Sequence, residues 1–196
     1  MKDLHYPLEI VESSFAVKGS TFISFVIPKM EVESWNLKMR QKHPKAVHFV
    51  TASRFFNAEG QIEENFSDDG EPKGTSGMPT LKVLRGFKLI ECGLLTLRYF
   101  GGTLLGTGGL VRAYTQGAKD AVLAARDSNR LALYIPKENA QITIDFALFT
   151  QVEYLAKKVG IQIVKKEFLS DGVRLKVEGK KEDLAQFLQK VKELQY

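Results

Sequence analysis

Only one cysteine, Cys92, occurs in the 196 residues, so no disulfide can form within the chain. Its apolar neighbours make a small buried hydrophobe the default reading. Long apolar runs are also missing, and none approaches the about 18 residues that a membrane-spanning helix needs. The start, Met1-Lys2-Asp3-Leu4-His5-Tyr6-Pro7, lacks the apolar stretch of a secretory signal, which makes a cytoplasmic location the expectation. Charge of one sign is scarce. Residues 1–136 carry 17 basic and 14 acidic side chains and residues 137–196 carry 11 and 9, for a net charge of +5. That excess favours an acidic partner without forming a basic tail. His5, His43 and His48 are scattered and have no second cysteine to support them, so no metal site is expected. Neither a Gly-x-Ser-x-Gly elbow nor a His-Glu-x-x-His helix occurs, which removes the standard hydrolase chemistries. No catalytic residue and no cofactor is assigned.

What is present starts with glycine. Five of the sixteen glycines, Gly101, Gly102, Gly106, Gly108 and Gly109, fall within nine residues and lead into a helical pattern. Bare amides in such a loop and in the first turn of a helix lack intrahelical partners, and the helix dipole adds about half a positive charge there. An anion is the guest this arrangement favours, with Arg98, Arg112 and Lys73 as flanking cations. The alternative is a tight turn that lets a strand and a helix pack closely. A nucleotide P-loop is excluded, because Thr107 stands where the motif needs lysine. A dinucleotide fingerprint fails too, because Val111 stands where a third glycine or alanine belongs.

The apolar residues, 44% of the chain, suffice for a packed core. Residues 8–28 read as two strands turning at Gly19-Ser20, residues 30–41 as an amphipathic helix, and 46–56 as a strand followed by a turn at 57–60. Pro79 suits the start of a short helix through Arg85, and 88–100 reads as a buried strand. The longest helix spans 109–126 with a narrow small-residue face, and 131–135 is a closing strand. Pro136-Lys137-Glu138-Asn139 is the linker candidate. The remainder follows the order βαββα, a ferredoxin-like pattern with strands at 142–146, 161–168 and 173–177 and helices at 148–159 and 181–194.

A second constellation, Ser67-Asp68-Asp69-Gly70-Glu71-Pro72-Lys73-Gly74-Thr75-Ser76-Gly77, packs three carboxylates and three glycines together. Asp68, Asp69 and Glu71 could hold a hard cation, split their pKa values for acid–base work, or cap turns and backbone amides; turn-building is the plainest of the three.

These two motifs, Ser67–Gly77 continuing into Met78-Pro79, and Arg98-Tyr99-Phe100-Gly101-Gly102 with Leu105 to Tyr114, resemble the IMPACT/YigZ family. The resemblance covers both units. It implies an α+β chain of two domains: residues 1–136, similar to domain IV of elongation factor G and certain ribosomal proteins, and 137–196, a ferredoxin-like module similar to domain V of that factor. It also implies a translation-associated regulator that binds RNA, the ribosome or a translation-related protein. The kinase-pathway role, which goes with a further N-terminal RWD domain in eukaryotic members, is not expected to transfer. The family strand around His48 often carries a cysteine where Val50 stands, which argues against thiol chemistry. An enzyme acting on a small phosphorylated or nucleotide-like substrate is the alternative, and the convergence of Asp68, Asp69 or Glu71 with the glycine loop on one hollow would favour it. A protein-interaction adaptor is the third reading.

Overall fold

The computed structural model describes residues 3–195. Contacts divide the chain into two compact units, Met1–Tyr134 and Ile135–Tyr196, both of the α+β class.

The first unit is built on a five-stranded antiparallel sheet of β2 (Val11–Val17), β3 (Ser20–Pro28), β6 (Cys92–Tyr99), β4 (His48–Phe56) and β5 (Ile62–Ser67), in that spatial order. Alternation along the strands sorts side chains to two faces. Phe25, Ile27, Phe49, Leu95 and Leu97 bury against α1 (Val32–Lys42), where Met39 and Trp35 meet them. The opposite face carries Phe22, Val26, Val50, Ala52 and Leu94 and is covered by α2 (Gly77–Gly86) and α3 (Gly106–Asp127). Helix α3 presents Ala113, Gly117, Ala118, Ala121 and Ala125 to the sheet. A Cβ at Gly117 would sit 2.7 Å from Ser24 Oγ, so glycine is what lets this helix lie so close.

Several boundaries differ from those read in the sequence. β5 was not foreseen: Ile62-Glu63-Glu64-Asn65-Phe66-Ser67 is a mostly exposed edge strand, so no core imprints an alternation on it. Strand β1 (His5–Pro7) is likewise new, and β7 (Leu131–Leu133) pairs with it rather than with the large sheet. β6 begins at Cys92 instead of Lys88, because Lys88 and Glu91 take left-handed backbone angles of φ 55° and 52°. α3 begins three residues earlier than expected, so Gly106, Gly108 and Gly109 belong to a helix despite glycine's poor propensity.

The second unit has the order β8 (Lys137–Ile144), α4 (Phe149–Lys158), β9 (Gln162–Phe168), β10 (Val173–Lys180), α5 (Lys181–Leu194), which is the expected βαββα. Lys137–Asn139, read as linker, are the first residues of β8, which lies at the edge of a sheet ordered β8-β10-β9. Alternate residues Val173, Leu175 and Val177 of the central strand bury against Val152, Ala156, Leu184, Phe187 and Val191 of the two helices.

Candidate functional site: a hollow at the start of helix α3

The acidic loop is first a piece of scaffolding. Asp68 accepts hydrogen bonds from the amides of Gly74 (2.8 Å), Ser76 (3.2 Å) and Gly77 (2.8 Å) and from the Ser76 hydroxyl (2.7 Å), closing the loop onto the first turn of α2. Burial raises the pKa of this carboxyl, but the donated hydrogen bonds outweigh it, so the net direction is down. Asp69 accepts from the Phe49 N–H at 2.6 Å and pairs with Arg40 at 2.8 Å. With these side chains held by protein donors, the three carboxylates do not meet, and among the described residues no cluster of His, Cys, Asp and Glu is arranged to hold a metal.

Asp69 and Gly70 adopt consecutive left-handed angles, φ 44° and 86°, and this bend turns Glu71 back into the fold. The Glu71 side chain is 3% exposed and meets Arg98, itself 6% exposed. Oε1 of Glu71 accepts from Arg98 Nη1 and from the Tyr114 hydroxyl, both at 2.7 Å. Burial, and then the Glu71 charge, push the Tyr114 phenol far above its usual range, so it stays protonated and donates to Glu71. Arg98 Nε is buried without a partner, and such an N–H costs about 1–3 kcal/mol.

Strand register explains how the cluster forms. His48 lies directly opposite Arg98 across β4 and β6, on the face that α3 covers. The Asp69 carbonyl lies 2.8 Å from His48 Nδ1, and because a carbonyl only accepts, Nδ1 carries the hydrogen. Nε2 then stands 3.8 Å from Glu71 Oε1. The sequence assigns His48 no metal or catalytic role and does not reveal the Glu71–Arg98–Tyr114 cluster. One signal was available: a tyrosine on an otherwise small-residue helix face needs a buried partner for its hydroxyl.

The predicted anion-binding residues divide between several places. Gly101 serves packing: a Cβ there would lie 1.9 Å from the Gly19 carbonyl carbon. Gly102 and Gly106 have positive φ, 82° and 69°, with open space around them. Helix α3 starts after Leu105 with no side-chain cap, so the amides of its first turn face outward. A hollow of about 440 Å³ opens there. Gly106, Thr107, Arg98, His48 and Glu71 are among its polar lining, and Val47, Pro72, Phe100, Leu104 and Leu110 among its apolar lining. Glu71 and the start of α3 thus converge on one concavity, whereas Asp68 and Asp69 do not line it. Gly109 and Arg112 line a separate hollow of about 390 Å³ with Lys18. Gly108 and Lys73 are exposed and line neither.

Residues 18–122, which hold every member of this cluster, match the Impact N-terminal domain. The chain belongs to the IMPACT family. Residues 142–194 match a domain of unknown function, DUF1949. Over 172 residues the chain is 32% identical to an IMPACT family member of Haemophilus influenzae, covering 86% of this chain and 81% of that one. It is 39% identical over 119 residues to the IMPACT family member YigZ of Escherichia coli, a match that spans 59% of this chain and 57% of YigZ. A crystal structure described as that of a hypothetical protein superposes with a TM-score of 0.83 at 28% identity, covering 99% of this chain and 93% of that one. No helix among the described residues is long and apolar enough to cross a membrane.

Proposed function

We propose that this IMPACT-family chain is a cytoplasmic, translation-associated regulator that binds RNA, free or in the ribosome, by gripping phosphate at the start of α3. The observation that carries the reading is the uncapped first turn of α3 opening onto the same hollow as the Arg98 guanidinium. Arg112, Lys18 and Lys73, all exposed and outside this hollow, supply sequence-independent attraction. On this reading the two units act as the counterparts of domains IV and V of elongation factor G. RNA binding measured across a salt series tests it: log affinity should fall by about 0.7–0.9 per phosphate contact per decade of salt. Arg112→Ala/Lys73→Ala, both surface changes, should flatten the slope. Affinity that ignores salt, or no binding at low salt, removes the reading.

A second reading, an enzyme acting on a small phosphorylated substrate, is favoured by one observation. The Asp69 carbonyl orients His48 so that Nε2 sits beside Glu71 in the hollow, the arrangement of a positioned base. Turnover of phosphorylated compounds that is lost in His48→Gln would support this reading, and turnover that survives the substitution would remove it.

A further inference from the structure

We propose that the hollow at the start of α3 seats one nucleotide through its terminal phosphate, whether a free nucleoside monophosphate or the phosphorylated end of a single-stranded RNA. The inference rests on the phosphate-binding reading above and adds what the remainder of the hollow recognises.

The polar side accounts for the phosphate. Outward amides of the uncapped first turn converge with Arg98, whose guanidinium lines the hollow and keeps Nε unpartnered behind it. Glu71 does not repel the guest as a bare carboxylate would, because Arg98 and Tyr114 both donate to it. Glycine at Gly106 leaves the approach to these amides bare, with nothing within 4 Å of where a Cβ would be.

The apolar side calls for more than an anion. Leu104 is 82% exposed, Val47 50% and Phe100 48%, and all three line the same hollow as the polar residues. A phosphate alone gains nothing from such a wall, whereas a planar base attached to it stacks there. The Arg98 guanidinium already lies over the Phe100 ring, 5.6 Å from its centroid, so aromatic face and cation are aligned. Size points the same way. A volume of about 440 Å³ lies in the range of small-molecule sites, about 300–1,000 Å³, and admits a nucleotide rather than a duplex. A terminal phosphate can point its free oxygens end-on at the helix, while an internal phosphodiester must lead chain out on both sides of a concavity lined by Glu71 and Arg98.

Titration calorimetry on the full chain tests this with the four nucleoside monophosphates, adenosine and inorganic phosphate. The expected result is that at least one monophosphate binds about tenfold or more tightly than either adenosine or inorganic phosphate. Phe100→Ala should lower monophosphate affinity about tenfold and leave inorganic phosphate unchanged. Thr107→Asp places a carboxylate among the amides of the first turn, so it should abolish both while raising the unfolding midpoint, which separates a blocked site from a damaged fold. Single-stranded pentamers with a 5′-phosphate, a 3′-phosphate or neither then identify the source. Preference for a phosphorylated end marks RNA termini, and binding of free monophosphates alone marks a small molecule. Monophosphates that bind no better than inorganic phosphate overturn the proposal. RNA that binds irrespective of its ends, with no monophosphate binding, also overturns it but leaves the RNA-binding function standing. Monophosphate binding with no RNA binding removes that function and leaves this inference intact.

Discussion

Removing the Glu71 carboxylate should strongly destabilise the first unit. In Glu71→Ala the Arg98 guanidinium keeps its charge but loses its partner in a site where only 6% of the side chain reaches solvent. Breaking a pair buried this deeply costs about 3–5 kcal/mol, because one charge stays desolvated and uncompensated. Tyr114→Phe leaves that pair intact and removes only the hydroxyl that donates to Glu71 at 2.7 Å, so about 1.5–3 kcal/mol is expected. Glu71→Met/Arg98→Met removes both charges together and should recover most of the loss. Trp35, the only tryptophan, packs against Phe25 with ring centroids 5.8 Å apart, so its fluorescence reports the unfolding of this unit alone. With a urea dependence of about 2 kcal/mol per molar, the Glu71→Ala midpoint should fall by about 1.5–2.5 M. A fall below about 0.5 M, or a double variant no more stable than Glu71→Ala, refutes the reasoning.

The remaining predictions concern the loops and the core. Asp68 has a lowered pKa in the fold, so its contribution is fully present above the unfolded value of about 3.9 and is lost as pH falls through the folded value. Asp68→Asn should therefore be less stable at neutral pH and flatten the loss of stability below about pH 4; parallel acid slopes for the two proteins would sink this assignment. Two glycines of one motif should respond with opposite sign. Gly101→Ala drives a Cβ to 2.0 Å from the Gly19 carbonyl oxygen and should destabilise by about 1–3 kcal/mol or more, whereas the nearest atom to a Cβ at Gly108 is the mobile end of Arg112 at 3.5 Å. Gly108→Ala should accordingly stabilise α3 by about 0.4–1 kcal/mol, with urea midpoints deciding both cases. Cys92 is fully buried and burial pushes its thiol up, so a thiol reagent should label it only as fast as the unit unfolds. Labelling of the native protein within minutes would contradict that.

Elements whose side chains alternate between core and solvent were legible because burial writes a period into the residues. β10 and α3 carry such a pattern, and it places them without reference to partners. An exposed edge strand such as β5 carries none. β5, with two glutamates and an asparagine, exists because β4 offers it a ladder from Thr51 to Phe56, and β8 begins inside an apparent linker for the same reason. The two glycine-bearing motifs were recognisable as special from composition, and from them the family. Their division of labour was not, since Gly101 answers to the Gly19 turn eighty-two residues earlier and Gly106 to open space beside α3.

Sequence alone determined that this chain folds as two α+β units, that its one cysteine forms no disulfide within the chain, and that residues 67–77 and 98–114 hold whatever is distinctive about it. Only the tertiary structure decided that Glu71, rather than Asp68 or Asp69, reaches the hollow, and that it does so against Arg98, His48 and Tyr114. The physical reason is range. Periodicity and turn chemistry are local and can be read residue by residue, whereas a carboxylate is buried only where distant donors neutralise it, and those donors, Arg98 and Tyr114, come from a strand and a helix that the fold alone brings together.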